Sequence, residues 1–344
     1  MPRASHERRT ADAACGLVLG IALGVGVSPA LHAEGSALTL EASIPLGAVR
    51  GRIDHLAFDI GRRRLYVAEL GNDSVAVVDL DTRKVLRTLT GFDEPQGIAY
   101  VASTDEVYVA NGGDGSVRIL KGTDGSPAGR IELGDEADNV RVDRLQRFVA
   151  VGHGGGALAL IDPVERTKIA DIPLHGHPES FQLSRDGSRA YVNVPGAGEV
   201  AVVDLANRKP LQAWPTGKLK ANFPMALGET ESAVWVAFRS PSRLVSFDSN
   251  SGKPAVTLDT CNDSDDLFID PARHRLYVIC GGGQIEVWSI NDASQPARIG
   301  STPTSDGTRT GLFVPEVDRL YVAVRAASGT PAAVWIFKPS STVK

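Results

Sequence analysis

Polar and apolar positions along this chain recur with a period near 42 residues. Aligning the apolar residue that opens each recurrence gives Leu56, Ile98, Val140, Phe181, Met225, Leu267 and Leu312, at successive spacings of 42, 42, 41, 44, 42 and 45. A second apolar run follows each marker, as in Leu65-Tyr66-Val67-Ala68, Val107-Tyr108-Val109-Ala110 and Leu276-Tyr277-Val278-Ile279. After a Gly/Asn/Asp/Ser turn comes a third, such as Ser74-Val75-Ala76-Val77-Val78-Asp79, and then a shorter, more polar fourth, such as Lys84-Val85-Leu86-Arg87-Thr88-Leu89. β-branched and aromatic residues suit the pleated surface of a strand, and the residues between the runs suit tight reversals. Four short strands per unit, repeated at this period, predict an all-β, seven-bladed propeller. No sustained 3.6-residue apolar period follows the N-terminal leader, which disfavours solenoids built from helices.

The ends of the repeat region predict how the ring closes. The seventh unit runs through Leu320–Val324 and Ala333–Phe337 and stops without a fourth strand. Ahead of the first unit, Leu38–Gly47 resembles the fourth strands of the others, such as Ile131-Glu132-Leu133-Gly134. Pairing this segment into the last blade would leave no open edge. The expected organisation is therefore a signal peptide over residues 1–33 and a single propeller domain over residues 34–344.

The leader carries Arg3, Arg8 and Arg9 before an apolar run from Ala13 to Val27, then the small-residue segment Ser28-Pro29-Ala30-Leu31-His32-Ala33. That order is that of a secretory signal, and the run is shorter than the roughly 20 residues a membrane-spanning helix needs. Cleavage after Ala33 would give a periplasmic or secreted protein with no membrane anchor. It would also move the net charge from −5 to about −6, by removing three arginines, Glu7 and Asp12. An acidic chain with no long Lys/Arg run lacks the electrostatic footprint of a nucleic-acid binder. Cys261 and Cys280 remain after cleavage; a disulfide between them and a pair of buried thiols are both open.

Val107-Tyr108-Val109-Ala110-Asn111 and Ala190-Tyr191-Val192-Asn193, with their Gly/Asp turns and the Val-Ala-Val-Val-Asp strands of other units, resemble the YVTN-type β-propeller repeats of exported, YncE-like bacterial proteins. The resemblance covers nearly the whole mature chain. It implies a fold and leaves function open, because a propeller fold hosts surface-layer proteins, ligand binders and enzymes alike.

Candidate chemistry concentrates in the residues just before each marker, which a propeller brings to one mouth of its central channel. Two positions before the marker stand Asp54, Gln96, Asp138, Glu179, Phe223, Asp265 and Thr310; one before it stand His55, Gly97, Asn139, Ser180, Pro224, Asp266 and Gly311. Further out are Arg52, Glu94, Glu136, His177, Asn222, Asp263 and Arg309. One possibility is that these groups only satisfy loop backbone and channel water.

The favoured expectation is a non-catalytic binding mouth for a small molecule or a partner protein, with Arg52, Asp54, Gln96, Asn139, Asn222, Phe223 and Arg309 as contacts. The alternative is a divalent-metal-dependent lactonase or lyase. Asp54, Asp138, Asn139, Asp265 and Asp266 would supply hard oxygens for calcium or magnesium, and His55, His177 and Glu179 would transfer protons. Asp54, Asn139, Asn222 and Asp265 are similar in type and phase to the metal ligands of six-bladed gluconolactonase-like propellers. The blade number, with channel His and Glu, is similar to streptogramin-lyase propellers. Both likenesses are of chemical type rather than of motif.

Overall fold

Alternate residues of each apolar run enter two different cores, which is why these runs carry no polar partner positions. In Arg64–Glu69, the second strand of the first blade, Leu65 and Val67 pack into one cluster, and Tyr66 and Ala68 into another. The first cluster joins the blade to the seventh, through Tyr321, Val334 and Ile336; the second joins it to the second blade, through Ile98, Val107 and Val109. The same division repeats at each blade boundary, so every apolar core lies between neighbouring blades.

The computed structural model describes residues 36–327 and 329–341, and the expected signal peptide lies outside them. The described residues form seven four-stranded antiparallel sheets arranged as a ring. Their innermost strands are Leu56–Asp59, Pro95–Val101, Ala137–Val142, Phe181–Leu183, Lys220–Leu227, Ser264–Asp270 and Thr310–Val314. Leu38–Pro45 is the outer strand of the seventh blade, as its likeness to other fourth strands predicts. It pairs antiparallel with Ala333–Pro339, from Leu38 opposite Pro339 to Pro45 opposite Ala333. The turns after the innermost strands are braced between blades. Arg62 bonds Asp59 of its own turn and grips both carboxylate oxygens of Asp105 in the next blade, at 2.6 and 2.8 Å. Arg273 does the same between Asp270 and Asp318.

Cys261 lies just past the outer strand of the fifth blade, and Cys280 ends the second strand of the sixth. They are joined by a disulfide with a Cα–Cα distance of 6.0 Å. The bond sits in the core shared by those two blades.

Two stability measurements follow. Ile44 is fully buried in the core that joins the seventh blade to the first, so Ile44→Ala should lower the unfolding free energy by about 2–5 kcal/mol. Reducing the disulfide, which closes a segment with a sequence separation of 19, should lower it by about 3 kcal/mol in denaturant titrations with and without reductant. An unchanged midpoint in either case would contradict the structural role assigned to that element.

Candidate functional site

A single extra residue in the innermost strand builds the channel mouth. In the second blade Pro95 pairs with Asn111 and Ile98 with Val109, so three steps on one strand oppose two on its partner. The third, fifth and sixth blades repeat this insertion. In the first blade the Asp54 N–H donates to the Ala68 carbonyl at 2.8 Å, and the Ala68 N–H donates to the His55 carbonyl at 3.1 Å. Glu179 and Ser180 share Asn193 in the same way in the fourth. Such a bulge breaks strict alternation and re-aims consecutive side chains. Several residues expected ahead of the innermost strand thus lie within it, where the bulge directs them at the axis. Gly97 is required here: a Cβ would sit 1.9 Å from the Asp138 carbonyl oxygen of the next blade.

The mouth encloses a cavity of about 170 Å³ lined from all seven blades: Arg52, Asp54 and His55 from the first, Gln96 from the second, Glu136, Asp138 and Asn139 from the third, Glu179 and Ser180 from the fourth, Phe223 and Arg239 from the fifth, Asp265 from the sixth and Arg309 from the seventh. Three predicted residues lie elsewhere. The His177 Nδ1 is 2.7 Å from the Gly154 carbonyl, which ties the ring to a neighbouring turn. Asn222 is completely buried and donates to Asn193 Oδ1 at 3.1 Å and to the Glu199 carbonyl at 2.9 Å, an inter-blade brace. Asp266 accepts from the Gly311 N–H at 2.8 Å and faces the other side of His55.

Much of the mouth's charge is internally compensated. Asp54 Oδ2 accepts from Arg52 Nη2 at 2.9 Å. Asp265 is held by two guanidiniums: Arg239 bonds its Oδ1, and Arg309 Nε lies 2.9 Å from its Oδ2. Arg239 was not among the sequence candidates, because it comes from the second strand of the fifth blade rather than the innermost one. Its one visible signal is a charge closing the apolar run Val234-Trp235-Val236-Ala237-Phe238. It also stacks on Phe223, with the guanidinium carbon 4.0 Å from the ring centroid, so Phe223 serves as a platform for that arginine. His55 sits between two acids, its Nε2 3.8 Å from Asp54 and its Nδ1 3.6 Å from Asp266. Burial alone would lower its pKa; Asp266, Asp54 and Asp138 outweigh that and hold it at about 10.

Among the described residues, no guanidinium contacts Asp138 or Glu179. Burial, then the neighbouring Glu179 and Asp54 charges, pushes the Asp138 carboxyl up to about 7. Burial, then Asp265 and Glu136, does the same for Glu179. Asp138 Oδ2 accepts from Asn139 Nδ2 at 3.3 Å, while Asn139 Oδ1 is buried without a partner among the described residues. Of the five predicted metal ligands, Asp54, Asp265 and Asp266 already face partners outside the set, whereas the side chains of Asp138 and Asn139 bond each other. Among the described residues, no group of three or more His, Cys, Asp or Glu side chains is placed to hold a metal ion.

Fold and site together define a seven-bladed β-propeller with a polar, charge-compensated channel mouth. Among solved structures, the chain is similar to Kuenenia stuttgartiensis hydrazine synthase, with a TM-score of 0.74 at 16% identity over 86% of this chain and 98% of that one. It is equally similar to a chain of the mitotic checkpoint complex, with a TM-score of 0.74 at 15% identity over 94% and 98% of the two chains. At such identities the likeness is one of fold. No family model and no curated protein sequence matches the chain.

The raised pKa values set a pH dependence. Folded Asp138 and Glu179 keep protons up to about pH 7 that the unfolded chain releases near pH 4, so their contribution to stability is full below ~4 and falls as pH rises to 7. His55, raised to about 10, adds stability that is full below ~6.5 and is lost as pH rises to 10. The unfolding midpoint should therefore fall by on the order of several °C between pH 5 and 9. Asp138→Asn, which keeps the acceptor for Asn139, should flatten the acidic part of the curve. A midpoint that climbs over this range would contradict the assignment.

Proposed function

We propose that this protein is an exported propeller that binds, without chemical turnover, a compact polar group at its channel mouth, either as a free small molecule or as a side chain offered by a partner protein. The observation that carries this reading is the state of the mouth's charges. Asp54 and Asp265 are neutralised within the fold, and Asp138, Glu179 and the orphan Asn139 Oδ1 are left to offer hydrogen bonds. A small, polar and rigid cavity so arranged favours a neutral or zwitterionic ligand over a strongly charged one. The YVTN-type repeats and the leader support export. The neighbouring folds come from a synthase and from a protein assembly, so the architecture accommodates either use.

A second reading, a lactonase or lyase dependent on calcium or magnesium, draws on one specific feature. Asp138 and Glu179 titrate near neutrality, as general acid–base groups must. Thermal unfolding separates the two. The mature chain, treated with chelator, is scanned against polyols and neutral amino acids, and separately against calcium and magnesium. A ligand at about 100 times its Kd stabilises by about 2.7 kcal/mol. The binding reading expects a rise with one of the polar ligands that is lost in Asp138→Asn and Arg239→Gln. A rise with a cation instead, abolished in Asp138→Asn, would establish the metal reading, and no response to any addition would refute both.

A further inference from the structure

The mouth is not the channel's one cavity among the described residues. On the other side of His55, toward the turns that follow the innermost strands, the channel widens into a second cavity of about 390 Å³. That volume falls within the roughly 300–1,000 Å³ typical of small-molecule sites, whereas the mouth falls below it. The wall is chiefly apolar, formed by Phe58, Ile98, Val140, Phe268 and Leu312. It continues into an open depression of about 610 Å³ that shares Arg141, Val142, Gln182 and Pro315 with it, so the cavity has an approach from solvent.

Besides His55, which Asp54 and Asp266 already face, one cation interrupts this wall. Arg141 follows Val140 in the innermost strand of the third blade. Its Nη1 donates to the Val140 carbonyl at 2.9 Å, and its guanidinium carbon lies 5.7 Å from the Phe181 ring centroid. It takes part in no ion pair among the described residues. The acids that influence it, Asp266 and Asp138, act only at a distance, and Asp266 is engaged by the Gly311 N–H and His55. Glu316 lies at the cavity's edge. A guanidinium set in an apolar wall loses part of its hydration, and the Val140 carbonyl is its one hydrogen-bond partner among the described residues. Its remaining N–H groups have the planar geometry that a carboxylate fits.

We infer that the lower cavity is a second binding site, separate from the polar mouth, for a small monoanion with an apolar body, such as an aryl or short-chain carboxylate. The anionic head rests on the Arg141 guanidinium, and the body lies against Phe58 and Phe268. The mouth is the poorer fit for such a ligand, because it holds only about 170 Å³ and its one aromatic wall, Phe223, is already covered by Arg239.

Isothermal titration of the mature protein tests this with two matched probe pairs, benzoate against benzyl alcohol and hexanoate against hexanol. One anion should bind at least tenfold more tightly than its neutral counterpart. Arg141→Met should weaken the anion at least tenfold, while Asp138→Asn in the mouth should not weaken it. Equal binding of anion and alcohol, or no binding of either anion at millimolar concentration, would overturn the inference on the wild-type protein alone, whether or not the Arg141 variant folds. Loss of anion binding in Asp138→Asn but not in Arg141→Met would overturn it too, by placing the anion in the mouth.

Discussion

No blade of this protein owns a hydrophobic core. Each four-stranded sheet buries one face against the blade before it and the other against the blade after it, so stability belongs to the interfaces between blades. An open row of blades would leave two apolar faces in water at its ends. Closure removes both, and Leu38–Pro45 makes it covalent in effect, because the first residues of the domain complete the last sheet. The inter-blade arginines Arg62 and Arg273 and the Cys261–Cys280 disulfide reinforce contacts that the apolar surfaces already make.

The ring imposes a geometry on the channel that the protein uses in two ways. Bulges at the start of the innermost strands crowd buried carboxylates into a narrow mouth, where like charges would repel. Arg52, Arg239 and Arg309 balance part of that charge, and retained protons balance part of the rest. Past the bulges the strands resume regular alternation, and the axis is lined with apolar side chains. His55, facing both cavities, stands where the two regimes meet. One channel therefore holds two environments of opposite chemistry.

The repeat length, the strand type and the closing segment were all legible in the chain. They rest on local propensity and on a period, and both survive folding because each blade is built the same way. Twelve of the thirteen mouth residues, all but Arg239, were legible for the same reason, since the positions just ahead of each marker map onto one end of the channel. The exceptions show the limit of phase. His177 and Asn222 share the phase of Arg52 and Arg309, yet hydrogen bonds to backbone and to Asn193 turn them into braces.

The sequence by itself determined the fold, because alternating burial on two faces can be read from apolar runs that recur at a fixed spacing. Only the tertiary structure decided which acids keep charge partners. Arg239 reaches Asp265 from a different strand, and Arg141 reaches the axis without meeting a carboxylate. Such pairings depend on distances between residues far apart in the chain, and a one-residue bulge is enough to change them, since it redirects the side chains that follow.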